Sequence, residues 1–341
     1  MSELRQNRAT KEWIIIASER AKRPHDLKKK REEREKLPQL EPSCPFCPGN
    51  EKMTPGAIWS KKKGKKWVVR VVFNKFPALI PEGEPERQTR GFFLKMNGVG
   101  RHEVVIETPL HNRSLGVLPS AQVEEVCLAF RKRFLDLKRD KRVKMILIFR
   151  NHGESAGTSL VHPHSQIIAL PLIPSRIRHH LEEAMRYYDD HGSCVFCDMI
   201  KEELSAKKRV IYHNDGFVGF HPFASRTPFE TWIVPQKHDA SFGNINIAFC
   251  KKMARALKSV LEKIHIRLGD PDYNLIIRTS PLKDREEDYY HWHIQILPRL
   301  TTPAGFELGS GIYITTIVPE YSAEYIKGHL PRTKRVKNKM N

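Results

Sequence analysis

The 341-residue chain has no long apolar run: its most hydrophobic segments, around Met145 to Phe149 and Ile167 to Leu172, are only of strand length. Spanning a bilayer takes roughly 20 apolar residues, so no membrane segment is expected. No apolar stretch follows Met1-Ser-Glu-Leu-Arg-Gln, which removes the sign of a secretory leader and gives a cytoplasmic reading. Acidic residues are in deficit, 39 against 59 Lys and Arg, and the net charge is +20. Such a field attracts phosphate-bearing ligands without choosing between nucleic acid and small metabolites. Much of the excess lies in blocks, Lys28 to Lys36, Lys61 to Lys66 and Arg332 to Lys339. They contain too few aromatics to make a stacking platform for single strands, and a solvated Lys/Arg/Glu-rich surface explains them as well. With 40% hydrophobic residues the chain can still bury one large or two medium cores.

Four of the six cysteines form two Cys-x-x-Cys pairs, Cys44/Cys47 and Cys194/Cys197, which in a cytosolic chain point to metal before disulfide. Cys127 and Cys250 fall on helix-patterned segments with apolar neighbours and read as packed core thiols. After the first pair come a strand-like Trp67 to Phe73 running into Asn74, a strand near Glu103 to Glu107, and Pro109-Leu-His111. A helix opening at Ser120 follows, with Val123, Val126, Cys127, Phe130 and Phe134 on one face. A further strand leads into the Gly/Ser-rich Asn151-His-Gly-Glu-Ser-Ala-Gly157-Thr158-Ser159 and then His162-Pro-His164-Ser-Gln166. The second half repeats the order: Cys194-x-x-Cys197, Pro235-Gln-Lys-His238, a helix from about Ile247 to His265, and His291-Trp-His293-Ile-Gln295. Duplication is the simplest account. The expected fold is therefore α+β, with two tandem units, each an antiparallel sheet with a long helix and a structural zinc site. The units are placed at residues 1–175 and 176–330, with a basic tail at 331–341.

Two thiols at this spacing chelate one ion through a tight turn, and two imidazoles from later strand ends complete a tetrahedron. The expected ligands are Cys44, Cys47, His111 and His162 for one zinc, and Cys194, Cys197, His238 and His291 for a second. On a strand, His-x-His puts both rings on one face, so His162 can hold metal while His164 faces a cleft. An imidazole can attack phosphorus and split a transfer into two displacements. Gln166, two residues on, can donate to a phosphate oxygen, and Gly157-Thr158-Ser159 lets backbone amides approach phosphate. The second unit has no such loop: Pro281 to Tyr290 carries a charged run, Lys283 to Asp288, and no glycine. The active site is accordingly expected in the first unit, with His293 and Gln295 structural or part of a substrate surface.

Asn151-x-Gly-x-x-x-Gly157-x-Ser159-x-x-His162-Pro-His164-Ser-Gln166 resembles the galactose-1-phosphate uridylyltransferases of the histidine-triad superfamily, and the likeness runs from about Arg20 to Tyr313. The resemblance implies that His164 is the nucleophile, His162 a zinc ligand and Gln166 a phosphate contact. It further implies substrate contacts at Arg20, Arg23 and Asn74, alongside Asn151, Gly157, Thr158 and Ser159. The implied reaction is ping-pong: UDP-glucose yields glucose 1-phosphate and a uridylyl-His164, which galactose 1-phosphate then resolves. Lys75 stands where many members carry an aspartate, and Gly305-Phe306-Glu307-Leu-Gly309-Ser-Gly311 looks like a loop of the branch that includes plant ADP-glucose phosphorylase. In that branch phosphate accepts the nucleotide, and Phe306 and Glu307 join the substrate contacts. The resemblance also implies a homodimer. Two other readings differ in testable ways: a non-enzymatic zinc protein binding nucleic acid, which has no need of Gln166 or the glycine loop, and a nucleotide hydrolase in which water resolves the intermediate.

Overall fold

A computed structural model describes residues 2–19, 34 and 37–329. Arg20, Arg23 and the tail at 331–341 lie outside the described residues, as does most of the basic block at 28–36. Ten strands form one antiparallel sheet: β3 (Ala57–Lys63), β4 (Lys66–Phe73), β7 (Arg101–Ile106), β8 (Met145–His152), β9 (His164–Leu170), β10 (Val210–Asn214), β11 (Phe217–Phe220), β12 (Thr231–Pro235), β13 (Tyr273–Arg278) and β14 (His293–Pro298), in spatial order 10-11-12-14-13-8-9-7-4-3. The separate sheets expected for the two units are thus fused. β8 of the first half pairs with β13 of the second, setting Asn151 opposite Asn274 and His152 opposite Tyr273. A small sheet joins β1 (Glu3–Gln6) and β2 (Trp13–Ile16) to β15 (Tyr313–Thr315), and β5 (Arg87–Arg90) and β6 (Phe93–Met96) form a hairpin.

The periodicity at Ser120 becomes α1 (Ser120–Leu137), which buries Val123, Val126, Cys127, Phe130 and Phe134. The counterpart in the second half is α4 (Ile247–Leu268), capped by the Asn246 side chain on Phe249 N–H at 2.8 Å and ended by Gly269 in the left-handed region. Both helices lie in one core with the inward residues Ile167, Ala169, Ile294 and Ile296. Burial of each large side chain contributes about 1.5–3 kcal/mol, so the shared core couples the two halves strongly. Cys127 and Cys250 are fully buried in that core. The opposite face of the second half is covered by α2 (Ser175–His191) and α3 (Val195–Ala206). Two short helices, α5 (Gly305–Ser310) and α6 (Pro319–Lys327), close the described chain.

A buried ion pair ties α1 to the sheet: Arg133 Nε and Nη2 each donate to Glu103 at 2.7 Å. Removing only the cation leaves a buried carboxylate unpaired, which costs about 3–5 kcal/mol. Arg133→Met should therefore lower the urea midpoint sharply, and adding Glu103→Gln should restore most of the loss. An unchanged midpoint in the single variant would contradict this packing.

Candidate active site and metal clusters

β9 begins as the chain leaves the first Cys/His cluster. Its alternation sends Ile167 and Ala169 into the core and His164, Gln166 and Ile168 to the other face. Upstream, Cys47 N–H donates to the Cys44 carbonyl at 3.2 Å, closing the turn that presents both thiols. Cys47 Sγ lies 3.6 Å from His111 Nδ1 and 3.5 Å from His162 Nδ1, and Cys44 Sγ lies 3.7 Å from His162 Nδ1. A tetrahedral zinc with ligand bonds of about 2.3 Å to sulfur and about 2.05 Å to nitrogen requires S···N separations of about 3.6 Å. The four residues fit such an ion. His162 Nε2, 2.8 Å from the Thr108 carbonyl, donates to it, which leaves the Nδ1 lone pair toward the thiols. Burial pushes His162 down to about 4, keeping the ring neutral as a metal requires.

The second cluster is more open. Cys197 Sγ lies 3.3 Å from His238 Nδ1 and 3.5 Å from His291 Nδ1, and Cys194 completes the set. Hydrogen bonding from Cys194 pushes the Cys197 thiol down while Cys194 rises. These two are the Cys/His groups among the described residues whose ligand atoms converge within 4.8 Å.

His164 is 8% exposed and its Nδ1 lies 2.8 Å from the His162 carbonyl. A carbonyl only accepts, so Nδ1 carries the proton and Nε2 keeps its lone pair. Burial lowers the ring's pKa below the usual histidine value, so at neutral pH it is uncharged and nucleophilic. Phe46, between the two cysteines, packs edge-on against it at 5.3 Å. Behind the strand, the buried Glu107 accepts from Ser165 Oγ at 2.6 Å and from Arg150 Nε at 3.0 Å.

Gln166 and Asn74 meet through His102, a residue the sequence reading passed over. Ala78 N–H donates to His102 Nδ1 at 3.1 Å, so the imidazole proton sits on Nε2 and goes to Gln166 Oε1 at 2.7 Å. With Oε1 so engaged, the Gln166 amide NH2 is left as a donor. Asn74 Nδ2 approaches the same His102 nitrogen at 3.2 Å, while Asn74 Oδ1 accepts from Phe76 N–H at 2.9 Å.

His164, Asn151, Thr158 and Ser159 line a cleft of about 750 Å³, together with Arg34 and Arg150. The loop between them turns at Gly153 (φ 85°) and Gly157 (φ 86°) around a 3₁₀ turn, Glu154–Ala156. A Cβ on Gly153 would run into the Asp272 carboxylate, whereas one on Gly157 would meet open space. Gly157 is therefore required by its backbone angle, not by lack of room. The second half braces this loop: Ser155 N–H donates to Asp272 at 2.8 Å, and Asn274 Nδ2 donates to Asn151 Oδ1 at 2.8 Å and to the Ala156 carbonyl at 2.9 Å. Arg299 Nε in turn donates to Asn274 Oδ1 at 2.5 Å. No motif announces Asn274 or Asp272; an asparagine in the apolar strand Tyr273–Arg278 was the available signal.

Phe306 and Glu307 sit on the short helix α5, not on a loop, because the Glu307 side chain reaches back to accept from Ala304 N–H at 2.9 Å. Neither lines the cleft of its own chain. His293 is buried, with its ring stacked at 4.5 Å on Trp232, and Gln295 is held between Glu230 (2.7 Å) and Arg278 (2.9 Å).

Residues 1–174 match the family described as galactose-1-phosphate uridyl transferase, N-terminal domain, and residues 180–308 match its C-terminal domain. The chain is 36% identical over 331 residues to the ADP-glucose phosphorylase of Arabidopsis thaliana, covering 95% of this chain and 92% of that protein. It is 28% identical over 340 residues to the galactose-1-phosphate uridylyltransferase of Thermotoga maritima, covering 96% and 98%. A crystal structure of an ADP-glucose phosphorylase from A. thaliana with bound ADP-glucose superposes with a TM-score of 0.83 at 33% identity, covering 98% of this chain and all of that one.

The brace at Asn274 is testable without reference to activity. Asn274→Ala removes both hydrogen bonds to the loop, and with each bond worth about 1 kcal/mol, amide hydrogen exchange at residues 156–159 should quicken by about thirtyfold. Exchange unchanged from the parent protein would show that the loop holds itself.

Proposed function

Since the chain belongs to the galactose-1-phosphate uridyl transferase family, we propose that it transfers a nucleotidyl group from a nucleotide sugar to a second phosphate-bearing acceptor through a covalent intermediate on His164. The observation that carries the reading is the fixed tautomer: Nδ1–H is committed to the His162 carbonyl, and Nε2 belongs to a neutral ring in the wall of a cleft. In the first step Nε2 attacks the phosphorus next to the nucleoside. An N–P bond forms, the bond from that phosphorus to the bridging oxygen breaks, and the sugar 1-phosphate leaves with the electron pair. In the second, an acceptor oxygen attacks the same phosphorus and His164 departs. The hydrogen bond to the His162 carbonyl steadies the positive ring in between. The Gln166 amide and the Ser159 donors take the non-bridging oxygens, Thr158 lines the cleft beside them with its Oγ1 donating to the Leu160 carbonyl at 3.1 Å, and Asn151 and Asn74 contribute to nucleotide binding.

ADP-glucose with phosphate as acceptor is favoured by the 36% identity to the A. thaliana relative. Exchange of UDP-glucose with galactose 1-phosphate is the second reading, in line with the T. maritima relative. The chemistry at His164 is the same in both.

In this reading residues 1–175 form the catalytic half and 176–330 its duplicated brace. Both Cys/His clusters hold structural zinc, which fixes the turn at Cys44–Cys47 and the start of β9 and takes no part in the displacement. Phe306 and Glu307, which lie outside the His164 cleft of their own chain, are assigned in this reading to the cleft of a second copy in a homodimer. The exposed apolar run Phe92-Phe93-Leu94 supports the same assembly. Arg20 and Arg23 supply phosphate contacts, and the protein works in the cytoplasm.

Incubated separately with ADP-glucose and UDP-glucose, the protein should gain the mass of one nucleoside monophosphate residue with the preferred donor, and His164→Gly should gain none. An adduct with neither donor, in protein of confirmed metal content, would refute the proposal. Elemental analysis should find about two zinc ions per chain, falling to about one in Cys44→Ser, with a lower melting temperature and little adduct. A metal-free preparation with parental melting and adduct formation would contradict the structural role.

A further inference from the structure

The strand end of the second half that matches His164 is plugged. Trp232 and Phe196 lie 4.5 and 5.2 Å from the His293 ring, and the space left beside it is about 10 Å³, at most the room of one water. Beside this plug lies a separate cavity of about 220 Å³ lined by Arg176, Arg226, Arg278 and Arg299, with Glu307 and Tyr313 at its edge. It shares no lining residue with the His164 cleft.

The charges in this cavity do not balance. Glu12 pairs with both Arg176, at 3.0 Å, and Arg226, and Glu307 is occupied with Ala304 N–H. Among the described residues no carboxylate lies within ion-pair distance of Arg278 or Arg299. Arg278 has only the neutral Gln295 Oε1, at 2.9 and 3.0 Å, and Arg299 Nε has only Asn274 Oδ1. With the buried Glu230, which accepts from Arg226 N–H at 2.6 Å and from Gln295 Nε2 at 2.7 Å, four guanidiniums face three carboxylates, an excess of one positive charge. Desolvation and the neighbouring Arg226 press Arg278 down to about 10, yet it remains charged at neutral pH. Guanidiniums held without counter-ions, like Arg278 and Arg299, are costly in an enclosed space, and an oxyanion with several acceptors is their natural complement. The volume falls below the 300–1,000 Å³ typical of larger ligand pockets, which excludes a whole nucleotide sugar and suits one phosphate group with little attached.

We propose that this cavity is a second anion site, distinct from the His164 cleft, which binds a small phosphate-bearing molecule, either inorganic phosphate or a sugar phosphate, between Arg278, Arg226 and Arg299. The proposal does not rest on the covalent mechanism, and the two fail separately. Full-length zinc-loaded protein is titrated with inorganic phosphate and with glucose 1-phosphate by calorimetry, as the parent, as Arg278→Met and as Ser159→Ala. Arg299 is left intact because it also steadies Asn274. The site predicts a binding event weakened about tenfold or more in Arg278→Met and kept in Ser159→Ala, and the tighter of the two anions identifies the ligand. Parental binding in folded Arg278→Met overturns it. If that variant does not fold, crystals of the parent soaked in tungstate decide: anomalous density between the three arginines upholds the site, and density confined to the His164 cleft or absent overturns it.

Discussion

The 2.8 Å hydrogen bond from His164 Nδ1 to the carbonyl of His162 sets which nitrogen of the reactive ring is free. That carbonyl is itself fixed, because the His162 side chain is pinned between two thiols and the Thr108 carbonyl. A displacement of the Cys44–Cys47 turn would reach His164 through one backbone step and through Phe46, which touches both imidazoles. The Cys/His cluster and His164 are therefore a single mechanical unit, although His162 stands in a bend just before β9 and not on the strand itself. Burial then keeps His164 neutral, and neutrality is what an attacking imidazole needs.

In the second half the matching histidine is buried, and the half braces the loop of the first. His293 repeats the hydrogen bond to the carbonyl two residues back, at 3.2 Å from His291, but its ring is buried under Trp232. Meanwhile β13 pairs with β8 and places Asn274 opposite Asn151, so the loop that carries Thr158 and Ser159 is anchored from outside its own half. A flexible glycine-bearing loop alone would lose entropy on gripping phosphate; held by Asn274 and Asp272 it is set beforehand.

The parts of this arrangement legible in the sequence are those whose signal is local and repeated. Cys-x-x-Cys, a histidine after proline and His-x-His recur in the same order, and all eight side chains converge in two groups. The helical faces at Val123–Phe134 and Met253–Ile264 were equally plain, because a 3.6-residue period is unambiguous over several turns. The fusion of the two sheets was not legible: pairing of β8 with β13 joins strands more than a hundred residues apart, and nothing in either strand encodes its partner. Glycines at 305, 309 and 311 suggested a loop, yet the reach of Glu307 to Ala304 N–H is enough to close one short helix. His102 and Asn274 were invisible for another reason: each acts by orienting an amide side chain that the motif already contained.

A covalent nucleotidyl-His164, as proposed, is reported directly by the configuration at phosphorus. With a donor made chiral at the reacting phosphorus by sulfur substitution, two successive in-line displacements return the original configuration. Overall retention in the product is the result expected here. Inversion would mean that the acceptor attacks the nucleotide sugar directly and that His164 never carries the nucleotide.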